Sequence, residues 1–224
     1  MLNKNSWVVV PAHNEQENIF GVLKSLLELT PNIVIVDDAS KDNTKNIVKS
    51  SKIFLLEHLV NRGQGAALQT GTEFALKQGA EIIVHFDADG QMQAKDIYRV
   101  IAPLINREAD IVFGSRFLDK KSKIPAFKKY FILKPATWFN WFFTGIKLSD
   151  AHNGFRALSR KAAQAIKIRQ DGMAHATEIL EQVRLHDLKY QEVPVEIVYN
   201  QYGQRFASGF KILSDLFFAK IFKR

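Results

Sequence analysis

Glu81-Ile82-Ile83-Val84-His85-Phe86-Asp87-Ala88-Asp89-Gly90-Gln91 is an apolar run that ends in two carboxylates one residue apart. Ile82, Ile83, Val84 and Phe86 read as a buried strand. Period two then sends Asp87 and Asp89 to the same side as the chain leaves the sheet, and Gly90 lets the backbone turn there. Two hard oxygen donors in that position suit Mg²⁺ or Mn²⁺. Such ions, Mg²⁺ above all, take one or two carboxylates and fill their shell with water and substrate phosphate oxygens. Taken alone, the pair reads more readily as a solvated strand end than as a metal site, because Asp-x-Asp recurs by chance.

Outward from that strand the chain alternates. Strands are expected at 7–10, 33–36, 53–56, 81–86 and 110–113, and helices at 15–29, 43–49, 65–77 and 94–106. Strands separated by helices of this length imply right-handed crossovers and a Rossmann-like α/β fold, with a largely parallel sheet covered on both faces. Ligands bind beyond the carboxyl ends of such strands. Polar clusters stand at four of those ends: Pro11-Ala12-His13-Asn14-Glu15, Asp37-Asp38-Ala39-Ser40, Asp87-Ala88-Asp89 and Gly114-Ser115-Arg116. Each has a plainer reading. Asn14 and Glu15 suit a helix cap, and Asp42 or Asn43 marks a helix start. Asp37-Asp38 places two like charges after a buried strand, which costs free energy unless a ligand donor, a cation or a helix amino terminus compensates. Asn61-Arg62-Gly63-Gln64-Gly65-Ala66-Ala67-Leu68 imitates a dinucleotide fingerprint, but Leu68 stands where the third glycine or alanine belongs.

The 224 residues, 46% hydrophobic, suffice for one sizeable core, and a single domain over residues 1–224 is expected. No stretch has the length of a membrane span or the pattern of a signal peptide, and the absence of cysteine excludes disulfides and thiolate metal sites, in keeping with a cytoplasmic protein. The net charge of +8 admits nucleic acid, an anionic membrane surface or a polyphosphate substrate as partner. Lys120, Lys121, Lys123, Lys128, Lys129 and Lys134 precede Trp138-Phe139-Asn140-Trp141-Phe142-Phe143. Basic side chains beside amphipathic rings suit the headgroup layer of a membrane, although a core helix under a basic loop reads as well. No RNA-binding signature accompanies the aromatics, so nucleic acid is set aside. From Ser208 to Arg224 an amphipathic helix is expected, with Phe210, Leu213, Phe217 and Ile221 on one face and Phe218 and Phe222 on the side that should meet water.

As a set, Pro11-x-x-Asn14-Glu15, Asp37-Asp38-x-Ser40, Asn61-Arg62-Gly63-x-Gly65-x-Ala67, Asp87-x-Asp89-Gly90-Gln91, Gly114-Ser115-Arg116 and Ser149-Asp150-x-x-x-Gly154-Phe155-Arg156 resemble the family 2 glycosyltransferases of GT-A fold. The likeness covers nearly the whole chain. With Glu178 in a following helix and Glu192-Val193-Pro194-Val195 beyond, it is nearest to the polyprenol-phosphate sugar synthases related to dolichol-phosphate mannosyltransferase. That resemblance implies that Pro11, His13, Glu15, Val36 and Asp38 hold the nucleoside, with His13 where that branch often has tyrosine. Asp87, Ala88, Asp89 and Gln91 would hold the diphosphate and its metal. Arg116 and Arg156 would meet acceptor phosphate, for which a guanidinium fork is suited. Asp150 takes the position of an acid near the acceptor. Asn200 and Gly203-Gln204-Arg205 depart from the arginine and the Gly-x-Ser-Lys run of related mannosyltransferases, with Arg205 in place of the lysine, so UDP and GDP both stay open as donor carriers.

The resemblance implies a metal-dependent, inverting transfer from a nucleotide sugar to a polyprenyl phosphate, for cell-surface glycan synthesis, by an enzyme peripheral at the inner face of the cell membrane. Residues up to 116 would bind the donor, and residues from 117 onward the acceptor and the membrane. A lipid phosphate is already an anion, so Asp150 would orient, whereas a sugar hydroxyl would need Asp150 as base with His152 as a helper. Two rivals follow: transfer to a hydroxyl of a growing polysaccharide, and a nucleotide-sugar-binding or scaffold protein without turnover. A small membrane protein that presents the lipid is a further expected partner.

Overall fold

The computed structural model describes residues 2, 4–119, 145–151, 153–172 and 174–198. Among them, seven strands form one sheet: β1 (Ser6–Ala12), β2 (Ile33–Asp37), β3 (Phe54–Glu57), β4 (Ile82–His85), β5 (Ile111–Ser115), β6 (Arg156–Ser159) and β7 (Tyr190–Pro194). The strand order is β3-β2-β1-β4-β6-β5-β7. All neighbours run parallel except β6, which is antiparallel to both β4 and β5. The expected largely parallel α/β sheet is therefore present, with one reversed strand inside it.

Period-two alternation divides the core. Val8 and Val10 of β1 join Ile19, Leu23 and Leu26 of α1 (Ile19–Leu27) and Val100 of α4 (Ile97–Ile105) on one face. Trp7 and Val9 point the other way, to Leu68 of α3 (Gln64–Lys77), Ala162 of α5 (Arg160–Ala165) and Ile179 of α6 (His175–Leu185). Both faces of β1 are thus closed, and all seven of its residues are buried. Burying two apolar faces is the main source of stability and holds the strand ends in fixed relative positions.

Most expected elements recur within a residue or two. The first helix is the clearest difference. It begins at Ile19, not Glu15, because residues 15–18 are drawn into a turn whose N–H groups bond Thr44 Oγ1 and Asp42 Oδ2, side chains of another loop. Asn14 is likewise not a cap: its side chain accepts from the Lys41 N–H and its own N–H donates to Ser40 Oγ. The short α2 (Thr44–Lys49) does begin after Asp42, whose Oδ1 accepts from the Thr44 N–H. Gly90 has φ +71°, the left-handed turn expected after Asp89.

Candidate active site

Strands β1, β2, β4 and β5 and the loop before β6 open into a single pocket of about 350 Å³, within the range of small-molecule sites. Asp87 and Asp89 reach it from the end of β4 and Glu15 from the turn after β1. Burial, with the neighbouring Asp89 second, pushes the Asp87 carboxyl up to about 7, against the pull of Arg156 and a 2.8 Å hydrogen bond from Gln64 Nε2. Burial also raises Asp89, which accepts from the Gln91 N–H at 2.9 Å, and Glu15, which accepts from Asn18 Nδ2. Among the described residues no group of three or more histidine and carboxylate side chains could hold a metal unaided. Two crowded carboxylates whose charges are disfavoured fit an ion that completes its shell from a phosphate-bearing ligand.

The β1–β2 side is tightly bonded within the protein. Asp38, buried at the pocket wall, accepts from the Arg62 and Gly63 N–H groups at 2.9 and 2.6 Å and from His58 Nδ1 at 2.7 Å. These contacts compensate the charge that follows Asp37, and they outweigh burial, so the Asp38 carboxyl lies below its usual value. His13 donates from Nδ1 to the Asp38 carbonyl at 2.8 Å and meets Asn14 Nδ2 through Nε2 at 3.0 Å. With both nitrogens engaged, what remains for a ligand is the face of its ring.

The β5–β6 side differs. Asp150 is 2% exposed and is not part of the pocket wall. It receives Arg116 Nε and Nη2 at 2.6 Å each and the Arg116 N–H at 3.0 Å. Glu192 of β7 holds the turn that carries it, accepting from the Ser149 and Asp150 N–H groups. A chain of contacts from Glu192 through Asp150 thus fixes Arg116, which does line the pocket. Beside it Arg156, also 2% exposed, donates to the Asn153 carbonyl through Nη2, while its Nε and Nη1 and Asn153 Nδ2 are buried with no hydrogen-bond partner among the described residues. Burial lowers the Arg156 pKa to about 10, with Asp87 pulling upward. His85 lies below: burial first, then Arg156 and His175, keep it well below its usual pKa, so it is a neutral acceptor or donor to Thr72 Oγ1 at 3.0 Å. A Cβ on Gly154 would come within 2.5 Å of the Asp87 carboxylate, so glycine is what allows these two walls to meet.

Of the residues expected from the sequence, Pro11, His13, Glu15, Asp38, Asp87, Ala88, Asp89, Gln91, Arg116 and Arg156 line this one pocket. Val36 is buried within β2 behind it. Arg205, His152, Asn200, the basic and aromatic segment 120–143 and the expected carboxyl-terminal helix lie outside the described residues. Sequence reading missed Gln64, Asn153 and His175 as pocket residues. Gln64 and Asn153 stood at unspecified positions inside motifs already singled out; nothing local marks His175.

Residues 7–167 match the family described as Glycosyl transferase family 2. The chain is 38% identical over 233 residues to an uncharacterized protein of Methanocaldococcus jannaschii, covering 99% of this chain and 95% of that protein. It is 32% identical over 249 residues to the UDP-N-acetylglucosamine–dolichyl-phosphate N-acetylglucosaminyltransferase of Methanococcus voltae, covering 100% and 99%. Among solved structures it superposes with a TM-score of 0.74 on glucosyl-3-phosphoglycerate synthase of Mycobacterium tuberculosis, determined with Mn²⁺, UDP and phosphoglyceric acid, at 16% identity over 96% of this chain and 78% of that one. The shared architecture is the GT-A fold.

Proposed function

The chain belongs to glycosyl transferase family 2, and from that premise we propose that it transfers a sugar from a nucleotide sugar to a polyprenyl phosphate, with a divalent cation and with inversion at the anomeric carbon. The observation that carries the acceptor class is the state of Asp150. Both its oxygens are committed to Arg116, so the acid nearest the acceptor side is a positioning group and not a free base. A hydroxyl acceptor needs a base; a phosphate monoester is already anionic and needs its charge met. Arg116 and Arg156 supply that charge, and the unpaired N–H groups of Arg156 and Asn153 supply donors that no described residue satisfies.

In this reading Asp87, Asp89 and Gln91 hold Mg²⁺ or Mn²⁺, which when bound supplies Lewis-acid stabilisation of the departing nucleoside diphosphate. Pro11, His13, Glu15 and Asp38 seat the nucleoside. Arg116, aimed by Asp150, draws the acceptor phosphate to the face of the sugar opposite the leaving group, and Arg156 at the pocket floor offsets repulsion between the two anions. The full similarity to a dolichyl-phosphate sugar transferase over both chains supports the lipid acceptor. Residues 1–116 then serve the donor and 117–224 the acceptor. The lysines and rings of 120–143 favour a peripheral position on the anionic inner face of the membrane.

The test incubates the purified chain with Mn²⁺ or Mg²⁺, labelled UDP- and GDP-sugars and undecaprenyl phosphate, and follows label into the organic phase. Lipid-soluble label that EDTA abolishes is the expected result. Label passing only to a glycan hydroxyl, or nucleotide binding without turnover, would overturn it.

A further inference from the structure

The loop after β3 carries two adjacent apolar side chains into solvent. Leu59 is 99% exposed, more than any other large apolar side chain among the described residues, and Val60 beside it is 65% exposed. The tip is nonetheless held from both sides. Before it, the His58 N–H donates to the Asp37 carbonyl at 2.9 Å, and the His58 ring meets Asp38 Oδ1 at 2.7 Å and Thr70 Oγ1 at 3.0 Å. After it, the Arg62 and Gly63 N–H groups end on the Asp38 carboxylate. Docking a tip on so fixed a base costs little ordering entropy. Strand β3 runs parallel to β2, so the tip stands at the pocket end of the sheet. Leu118, 49% exposed, stands at the same end beyond β5, two residues past Arg116. Strands β3 and β5 lie five places apart in the sheet, roughly 24 Å at about 4.8 Å per spacing, and the pocket opens between them.

Size and charge decide what covers the tip. Two side chains fall far short of the roughly 800 Å² per partner that a stable protein contact buries. A bilayer boundary, by contrast, rewards burial of apolar side chains one at a time. Cations flank the pair. Lys41 is exposed in the adjoining loop after β2, and Arg62 lies 3.8 Å from Asp171 with both side chains about half exposed, a weak pairing that leaves the guanidinium open to an anionic headgroup. We infer that the Leu59–Val60 tip enters an anionic bilayer and, with Leu118 across the pocket, sets the mouth of the site against the membrane surface, where the phosphate of a lipid lies. Its purpose rests on the lipid acceptor proposed above, but its readout needs no turnover.

The chain has no cysteine, so Leu59→Cys in the full chain can carry a single environment-sensitive fluorophore. Vesicles of equal phosphatidylcholine and phosphatidylglycerol shift its emission to the blue, while the same label on Lys52→Cys, at the other end of β3, stays unmoved. Leu59→Asp combined with Val60→Asp lowers vesicle binding by about tenfold or more. The same double variant loses transfer to undecaprenyl phosphate in those vesicles and keeps transfer to a short, water-soluble polyprenyl phosphate. An unshifted label at position 59 on vesicles that carry the protein, a chain that binds no vesicles, or a double variant that binds them like the native chain overturns the inference. So does a blue shift that grows with protein concentration and needs no vesicles, which assigns the tip to a second copy. A vesicle-dependent shift without lipid product removes the proposed activity and leaves the docking surface in place; lipid product with an unshifted label does the reverse.

Discussion

The two sides of the pocket are built on opposite principles. Around Asp38, on the β1–β2 side, the Asp38 carboxylate, His58 and His13 are matched to partners within the protein before any ligand arrives, and only Asp37 Oδ1 beside them is buried without a hydrogen-bond partner among the described residues. Around Arg156, on the β5–β6 side, two guanidinium nitrogens and the Asn153 amide are buried donors with no partner among the described residues, and the carboxylates across from them are crowded. The contrast teaches where binding free energy is spent. A preformed wall selects shape at little reorganisation cost, whereas an unsatisfied cationic wall makes the ligand-free protein less stable so that an anion is held more firmly when it comes.

The comparison is broken most severely where the walls meet. Asp89→Ala, or EDTA with the native chain, is expected to lower lipid-linked product by about 10³-fold or more in the organic-phase assay, since both remove charge stabilisation from the leaving group. Arg156→Met comes next: transfer falls by about 10²-fold while UDP affinity by calorimetry changes less than about threefold, and the ligand-free melting temperature rises because an unpaired buried charge is gone. A variant that loses stability and nucleotide binding together would show that Arg156 is part of the frame. Asp150→Asn is expected to cost about 10-fold to 10²-fold in kcat through misplacement of Arg116, with the pH–rate profile unmoved. Loss of the acidic limb of that profile, the fall in rate at low pH, would make Asp150 the base after all.

Stability measurements sharpen the same contrast at smaller scale. Asp87 titrates upward in the fold, to about 7 from 3.8, so the metal-free protein loses stability as pH rises between those values. Asp87→Asn removes this penalty and should stabilise the metal-free protein at pH 7.5 by on the order of 2 kcal/mol, with the difference fading near pH 4. Mn²⁺ should stabilise the native chain and not the variant. Asp38 runs the other way. Burial raises its carboxyl, but the bonds from the Arg62 N–H, His58 and the Gly63 N–H outweigh it. Its contribution is present above the unfolded value and is lost as pH falls through the lower, folded one. Asp38→Asn should therefore flatten the loss of stability toward acid pH, read from urea midpoints at several pH values.

Much of this was legible beforehand, and the exceptions have a pattern. The apolar run into Asp87 and Asp89 identified both a strand and its functional end, and the motif set brought ten of the expected residues to one pocket. Strand β6 was not foreseen. Arg156-Ala157-Leu158-Ser159 is too short for a periodic signal, and its reversed place between β4 and β5 is decided by pairing with residues more than forty positions away. His175 escaped for the same reason, having no local pattern to mark it, and Asn153 sat at an unspecified position of a motif that named its neighbours. The Asp150–Arg116 and Asp38–His58 contacts join residues 34 and 20 apart in the chain, so a motif could name the acids without revealing what they hold.

By itself the sequence determined the alternation of elements, the polar strand ends and the family, because hydrophobic period, turn residues and motif spacing act over a few residues. Only the tertiary structure decided which donors were spent and which were left waiting. That depends on the order of strands in the sheet, which sets Asp38 against His58 and the Gly63 turn, buries Asp150 behind Arg116, and pairs His85 with Arg156, whose Nε and Nη1 have no partner among the described residues.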